Sequence, residues 1–147
     1  ETVRNGVSVL LEQGLAEAQD NILVHDAARC CLPAEALTRL LDEAGENDEG
    51  GILAIPVADT LKRADGSHHI DETVARAGLW QAQTPQLFQT ALLNRALSVD
   101  DLSEITDEAS AVEKLGIRPR LVQGDTRNLK LTLPQDEYIV RLLLKAV

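Results

Sequence analysis

With 147 residues, 44% of them hydrophobic and 26% charged, the chain has the size and composition of one globular domain with its own core. A formal net charge of −10 excludes a broad nucleic-acid footprint or an anionic membrane surface as partner, since both demand clustered Lys and Arg. It leaves room for a small phosphorylated ligand, which needs only a few cations in one pocket.

The aromatic residues are Trp80, Phe88 and Tyr138, and Met is absent. The core is therefore expected to be aliphatic, and the sequence to be a processed or partial chain. Cys30 and Cys31 are adjacent, a spacing that rarely meets disulfide geometry, and they are expected to be small buried thiols in a reducing cytosol. No apolar run approaches a membrane span and no signal-peptide pattern opens the chain, so the expected location is cytoplasmic.

In chain order, Val3, Val7, Leu10, Leu11 and Leu15 recur at helical spacing between Thr2 and Ala18. Asn21 to His25 is a short apolar run suited to a buried parallel strand. Pro33 stands at the first position of a helix whose face is Ala36, Leu37, Leu40 and Leu41. A polar loop leads into a second buried strand, Gly51 to Ile55. Strand, helix and strand with short connections predict a parallel α/β sheet. Val57 to Ala64 and Ile70 to Ala75 read as a hairpin about an Asp65-Gly66-Ser67 turn. It has little apolar content of its own, the character of an arm that packs on a partner subunit. Gln86 to Ser98 reads as helical, Thr106 as the cap of a further helix ending at Gly116, and Arg120 to Val122 and Asn128 to Leu133 as short strands. Pro134 is expected to open a last amphipathic helix. No linker or repeat divides the chain, so residues 1–147 read as a single domain.

Ligands of open α/β sheets sit beyond the carboxyl ends of the strands, so the polar residues just after predicted strands are the candidates. After the first strand comes His25-Asp26-Ala27-Ala28-Arg29. Asp26 either holds a metal on a triphosphate or caps the next helix; Arg29 offers a planar fork to a phosphate or pairs with Asp26. After the second strand, Thr60 supplies a hydroxyl and Lys62 a charge, or both are solvated. Arg76 to Gln86 reads as a polar, proline-broken loop with Thr84 in it, and Trp80 is expected in the core. Thr106 either caps its helix or receives a phosphate there, and Lys130 faces either solvent or a cleft. His68 and His69 have no third ligand at metal spacing, and no glycine-rich phosphate loop is present.

Taken together, Val24-His25-Asp26-Ala27-Ala28-Arg29, Pro56-Val57-Ala58-Asp59-Thr60-Leu61-Lys62, Leu79-Trp80-Gln81-Ala82-Gln83-Thr84-Pro85-Gln86, Thr106-Asp107-Glu108-Ala109-Ser110-Ala111 and Asn128-Leu129-Lys130-Leu131-Thr132 resemble the 2-C-methyl-D-erythritol 4-phosphate cytidylyltransferase family, in order and spacing, over nearly the whole chain. The resemblance implies a Rossmann-like, mostly parallel sheet flanked by helices. It implies transfer of cytidylyl from CTP to methylerythritol phosphate, with Mg²⁺, in non-mevalonate isoprenoid biosynthesis. Residues 57–75 would be a dimerisation arm through which one subunit completes the other's pocket. Asp26 would lie near metal and triphosphate, with Ala27 and Thr2 touching the nucleotide. Arg29, Thr60, Arg76, Thr84, Thr106 and Lys130 would surround the acceptor, with Arg76 and Lys130 countering its phosphate charge.

The family's amino-terminal nucleotide loop has no counterpart in this sequence, so the chain alone is expected to show little or no activity. The alternatives are another polyol- or sugar-phosphate nucleotidyltransferase, such as a ribitol-phosphate cytidylyltransferase, and a non-catalytic dimerisation module.

Overall fold

The apolar stretch after the first helix forms a strand, and its partner is a segment that the sequence presents as a loop. The computed structural model describes residues 1–146. Its elements are α1 (Thr2–Glu12), β1 (Asn21–Val24), α2 (Ala34–Ala44), β2 (Gly51–Pro56), β3 (Leu61–Ala64), β4 (Ile70–Val74), β5 (Trp80–Gln89), α3 (Thr90–Leu97), α4 (Glu108–Glu113), β6 (Arg120–Gln123) and α5 (Asp136–Lys145). Four strands form one sheet in the order β1-β5-β2-β6. Strands β1, β2 and β6 run the same way, while β5 runs against both of its neighbours, with Ile22 opposite Phe88 and Ile52 opposite Gln86. The sheet is thus mixed: parallel in the direction of most strands, with one reversed strand inserted near its centre.

Side chains alternate across a strand, so each buried strand feeds two cores. Ile52 and Phe88 face a cluster with Val7 of α1, Leu93, Ala96 and Leu97 of α3, and Ala109 and Val112 of α4. Leu53 and Leu87, one residue along in each strand, face Ala36, Leu40 and Ala44 of α2, with Val122 of β6. Helices therefore cover both faces, as an α/β fold requires. Phe88 aside, the buried hydrophobic residues are all aliphatic. Gly50 has φ +74, and an added Cβ would run into the Phe88 ring, so the turn into β2 requires glycine on two counts.

Several expectations are revised. The helix expected over Gln86 to Ser98 begins only at Thr90, whose amide and hydroxyl both donate to the Asp20 carbonyl at 2.8 Å. Ahead of it, Gln86, Leu87 and Phe88 are buried strand residues. Trp80, expected in the core, stands at the start of β5 with 38% of its surface exposed. The N-cap of α4 is Asp107 and not Thr106: its carboxylate accepts from the Ser110 amide at 2.8 Å, within a capping box. Asn128 to Leu133 forms no strand; the amide of Leu131 donates to the Ala28 carbonyl instead, at 2.9 Å. The last helix starts at Asp136, whose carboxylate accepts from the amides of Thr132 and Leu133. Cys30 is exposed and Cys31 only partly covered.

The hairpin is present as a two-stranded sheet of β3 and β4, with Leu61 opposite Val74. Arg63 and Glu72 pair across it at 2.9 Å, and Ile70 is 67% exposed. The Asp65 carboxylate holds its turn by accepting from the amides of Ser67 and His69.

Candidate functional site

The co-directional strands β1, β2 and β6 end at one edge of the sheet, and the segments that leave it there carry most of the candidate residues. From β1 the chain turns at once, the Arg29 amide donating to the Asp26 carbonyl at 3.0 Å. This turn is tied to β5 through Thr84. The Asp26 amide donates to Thr84 Oγ1 at 2.9 Å, and that hydroxyl lies 3.0 Å from His25 Nδ1. His25 Nε2 in turn reaches the Arg29 carbonyl at 2.9 Å. A carbonyl only accepts, so in the neutral ring Nε2 carries the proton and Nδ1 accepts from the Thr84 hydroxyl.

Three charges converge on this frame. Asp26 Oδ2 lies 3.3 Å from Lys130 Nζ and 3.8 Å from Arg29 Nε. Arg29 Nη1 donates to the Asn128 carbonyl at 2.7 Å. Burial lowers the Arg29 pKa from its ordinary value and the neighbouring Asp26 carboxylate opposes that shift. Arg29 and Lys130 line one cleft of about 310 Å³ together with Ile55, Gln81 and Thr126. Those last three residues also line a second cleft of about 760 Å³, whose far wall is Val57, Ala58 and Asp59 at the base of the hairpin. Two cations against one carboxylate, at the lip of a water-accessible cleft, leave one positive charge in excess; a guanidinium fork and an ammonium have the chemistry to suit a phosphate.

The other candidates fall into two groups. Thr2 and Thr106 line a common cavity of about 220 Å³, with Asp107 and Glu108. Burial pushes the Glu108 carboxyl up; its backbone hydrogen bond acts against this, and the charges of Asp107 and Asp26 add to the rise. The start of α4 is therefore within electrostatic reach of Asp26. Thr60 and Arg76, in contrast, are exposed at the base of the hairpin, where Arg76 Nη1 donates to the Ala58 carbonyl. Neither makes a hydrogen bond or ion pair with the Asp26 cluster among the described residues. Ala27 is exposed within the turn between Asp26 and Arg29.

Among the described residues no group of three His, Cys, Asp or Glu side chains is placed to hold a metal ion. Among the described residues Asp26 is the one carboxylate in contact with Arg29 and Lys130. A single carboxylate fits a Mg²⁺ carried by substrate phosphates and not an ion held in a protein cage.

Gln83, Gln86 and Asn128 are buried amides whose importance the sequence did not reveal. Gln86 bridges β5 to α4, Nε2 donating to Asp107 Oδ2 at 2.9 Å and Oε1 accepting from the Ala109 amide at 2.9 Å. Their one sequence signal is three long polar residues beside short apolar runs, which equally describes a loop.

Comparison with known proteins bears on family and fold. The chain matches the sequence pattern of the family described as IspD: 2-C-methyl-D-erythritol 4-phosphate cytidylyltransferase over residues 1–146. A protein of that name from Neisseria gonorrhoeae is 74% identical over all of this chain, and one from Thiobacillus denitrificans is 53% identical over 98% of it. A crystal structure of a 4-diphosphocytidyl-2C-methyl-D-erythritol synthase superposes with TM-score 0.92 at 72% identity, covering 97% of this chain and 65% of that one. The Francisella tularensis enzyme superposes with TM-score 0.84 at 32% identity, covering 96% of this chain and 65% of its own. The chain spans 64% of the length of the Neisseria gonorrhoeae relative and 62% of the Thiobacillus denitrificans one. With a family match along essentially its whole length, the chain belongs to the 2-C-methyl-D-erythritol 4-phosphate cytidylyltransferase family.

Proposed function

We propose that this chain forms the acceptor-binding part of a cytidylyltransferase that joins methylerythritol phosphate to CTP and releases pyrophosphate. The observation that carries the reading is the convergence of Arg29 and Lys130 on Asp26 at the carboxyl edge of the sheet. A phosphate oxygen of the acceptor forms a bond to the α-phosphorus of CTP, the bond from that phosphorus to the bridging oxygen breaks, and pyrophosphate leaves. The acceptor phosphate is already a nucleophile, so no strong general base is needed. The work of the protein is to place two anions in line and neutralise their repulsion.

Arg29 and Lys130 hold the acceptor phosphate, Thr84 fixes the turn that carries Asp26, and Thr106 borders the adjoining cavity. Asp26 would help to hold Mg²⁺ on the triphosphate, and the ion would supply further neutralisation of the phosphates. Thr2 and Ala27 would lie on the nucleotide side. The hairpin of residues 57–75 is read as a dimerisation arm, bringing Arg76 and Thr60 of a second copy towards the pocket. Its sparse burial and exposed Ile70 favour a partner surface. The protein is read as cytoplasmic, and no helix among the described residues is long and apolar enough to cross a membrane.

The test is calorimetric titration of the chain with methylerythritol phosphate and with ribitol phosphate, alongside a pyrophosphate-release assay with CTP and Mg²⁺. Binding of methylerythritol phosphate in preference to ribitol phosphate, with little turnover, is expected. Preference for ribitol phosphate would move the chain to a related nucleotidyltransferase, and binding of neither would remove the acceptor-site reading.

A further inference from the structure

One cation of the cluster, Arg29, is held by the carbonyl of a residue that carries no charge and meets no solvent. Asn128 is fully buried, and both hydrogens of its amide are spent on β5. Nδ2 donates to the Thr84 carbonyl at 2.8 Å and to Gln83 Oε1 at 3.2 Å. The orientation of Gln83 is itself determined, because its Nε2 donates to the Asp125 carbonyl at 3.0 Å, which leaves Oε1 to face Asn128. Two acceptors therefore confront the Asn128 side chain, and only a group with two donors satisfies both. An apolar side chain there would leave the Thr84 carbonyl unpaired and Gln83 Oε1 with only the Asp125 amide at 3.5 Å, and a carboxylate would repel both oxygens.

The backbone of Asn128 completes the arrangement. Its amide donates to the Asp125 carbonyl at 3.0 Å, closing the turn after β6, and its carbonyl accepts from Arg29 Nη1 at 2.7 Å. The contacts form a ring drawn from three distant stretches of sequence. The Asp26 amide meets the Thr84 hydroxyl, the Thr84 carbonyl meets the Asn128 amide, the Asn128 carbonyl meets the Arg29 guanidinium, and Arg29 returns to the Asp26 carboxylate. Arg29 Nε is buried without a hydrogen-bond partner, so a donor of this guanidinium stays uncommitted while the side chain is anchored through Nη1.

We propose that Asn128 is a positioning residue for the phosphate-binding cations. By pinning the loop after β6 to β5, it presents its own carbonyl to Arg29 and sets where Lys130, two residues on, enters the cleft. A guanidinium already held in one orientation loses less freedom when an anion binds, which is how a buried neutral amide raises the affinity of a charged site.

The inference rests on reading the cluster as a phosphate site, and the experiment is chosen so that the two stand or fall separately, because it uses no ligand. Hydrogen exchange of the Arg29 Nε–H and of the Asn128 Nδ2 hydrogens is followed by nitrogen-edited NMR in the unmodified chain, in N128A and in R29K. In N128A the backbone carbonyl that anchors Arg29 Nη1 is no longer pinned to β5, so the Arg29 Nε–H, shielded by burial and not by a partner of its own, is expected to exchange about tenfold faster, with the amides of β2 and β5 protected as before. An unchanged Arg29 signal in folded N128A overturns the proposal. If N128A loses the strand amides as well, R29K decides. Retained protection of the Asn128 hydrogens there shows that anchoring runs from Asn128 to residue 29, and lost protection shows the reverse and overturns it.

Discussion

The amide of Asp26 donates to the hydroxyl of Thr84 across 2.9 Å, joining residues 58 positions apart in the sequence. This one bond ties the turn after β1 to the reversed strand β5. Asp26 in turn faces Arg29 at 3.8 Å and Lys130 at 3.3 Å, so the bond fixes the carboxylate on which both cations converge.

Replacing Thr84 by Val keeps the shape and removes the hydroxyl. The Asp26 amide then loses its partner in a partly buried place, at a cost of about 1–3 kcal/mol. T84V is expected to lower the urea midpoint accordingly and to weaken methylerythritol phosphate binding, whereas T84S retains both. Equal behaviour of the two variants in urea unfolding and calorimetry would show that the hydroxyl has no part in holding the turn.

Lys130 separates binding from stability. Its side chain is 51% exposed, and its ion pair with Asp26 at 3.3 Å is correspondingly screened. K130M should change unfolding stability by no more than about 1 kcal/mol. Loss of a phosphate-facing ammonium is expected to reduce acceptor affinity about tenfold, or about 1.4 kcal/mol. A parallel loss of stability and affinity would assign Lys130 a structural role.

Glu108 predicts a dependence on pH. Its carboxyl is pushed above the ordinary value of 4.5, first by burial, so the folded state binds its proton more tightly than the unfolded chain does. Stability therefore falls as pH rises from the unfolded value through the raised folded one, and Glu108 penalises folding above that window. E108Q should match the unmodified chain below about pH 4, where both states are protonated. It should become the more stable of the two as pH rises to neutrality. Urea unfolding at several pH values reads this directly, and a difference of the opposite sign would mean that the start of α4 favours the charged form.

Phe88 tests the sheet order. It is fully buried in β5 opposite Ile22 and packs with α1, α3 and α4. F88A is expected to cost about 3–5 kcal/mol. F88L should cost less, and near-equal midpoints for F88A and the unmodified chain would place residue 88 outside the core.

Where the hydrophobic pattern was local, the sequence sufficed. The face of α2 with Leu40 and the strand after Gly50 stand where periodicity puts them. So does the weakly apolar hairpin, whose Asp65 turn is closed by contacts within a few residues. The apolar run of β1, expected as a buried parallel strand, is instead a half-exposed edge strand paired antiparallel to β5. Asp26, Arg29, Thr84 and Lys130 were candidates by their polar type in short segments, with their roles implied only by the resemblance to a known family, and Thr106 was recognised as lying at a helix start.

The central strand was hidden because it is polar where it is buried. Gln83, Thr84 and Gln86 belong in a loop by residue type, and they stand in the sheet because their partners come from far away. Gln86 bonds Asp107, 21 positions on, and Gln83 meets Asn128, 45 positions on. Amphipathic period and turn chemistry are properties of neighbours in the chain, so the sequence by itself determined the elements with a local pattern, α2, β2 and the hairpin, and the identity of the charged residues. Pairing a buried amide requires a donor and acceptor at hydrogen-bond distance, which only the packed sheet supplies. The tertiary structure alone therefore decided that β5 runs against its neighbours, that Asn128 closes the ring behind Arg29, and that Thr60 and Arg76 stand apart from it.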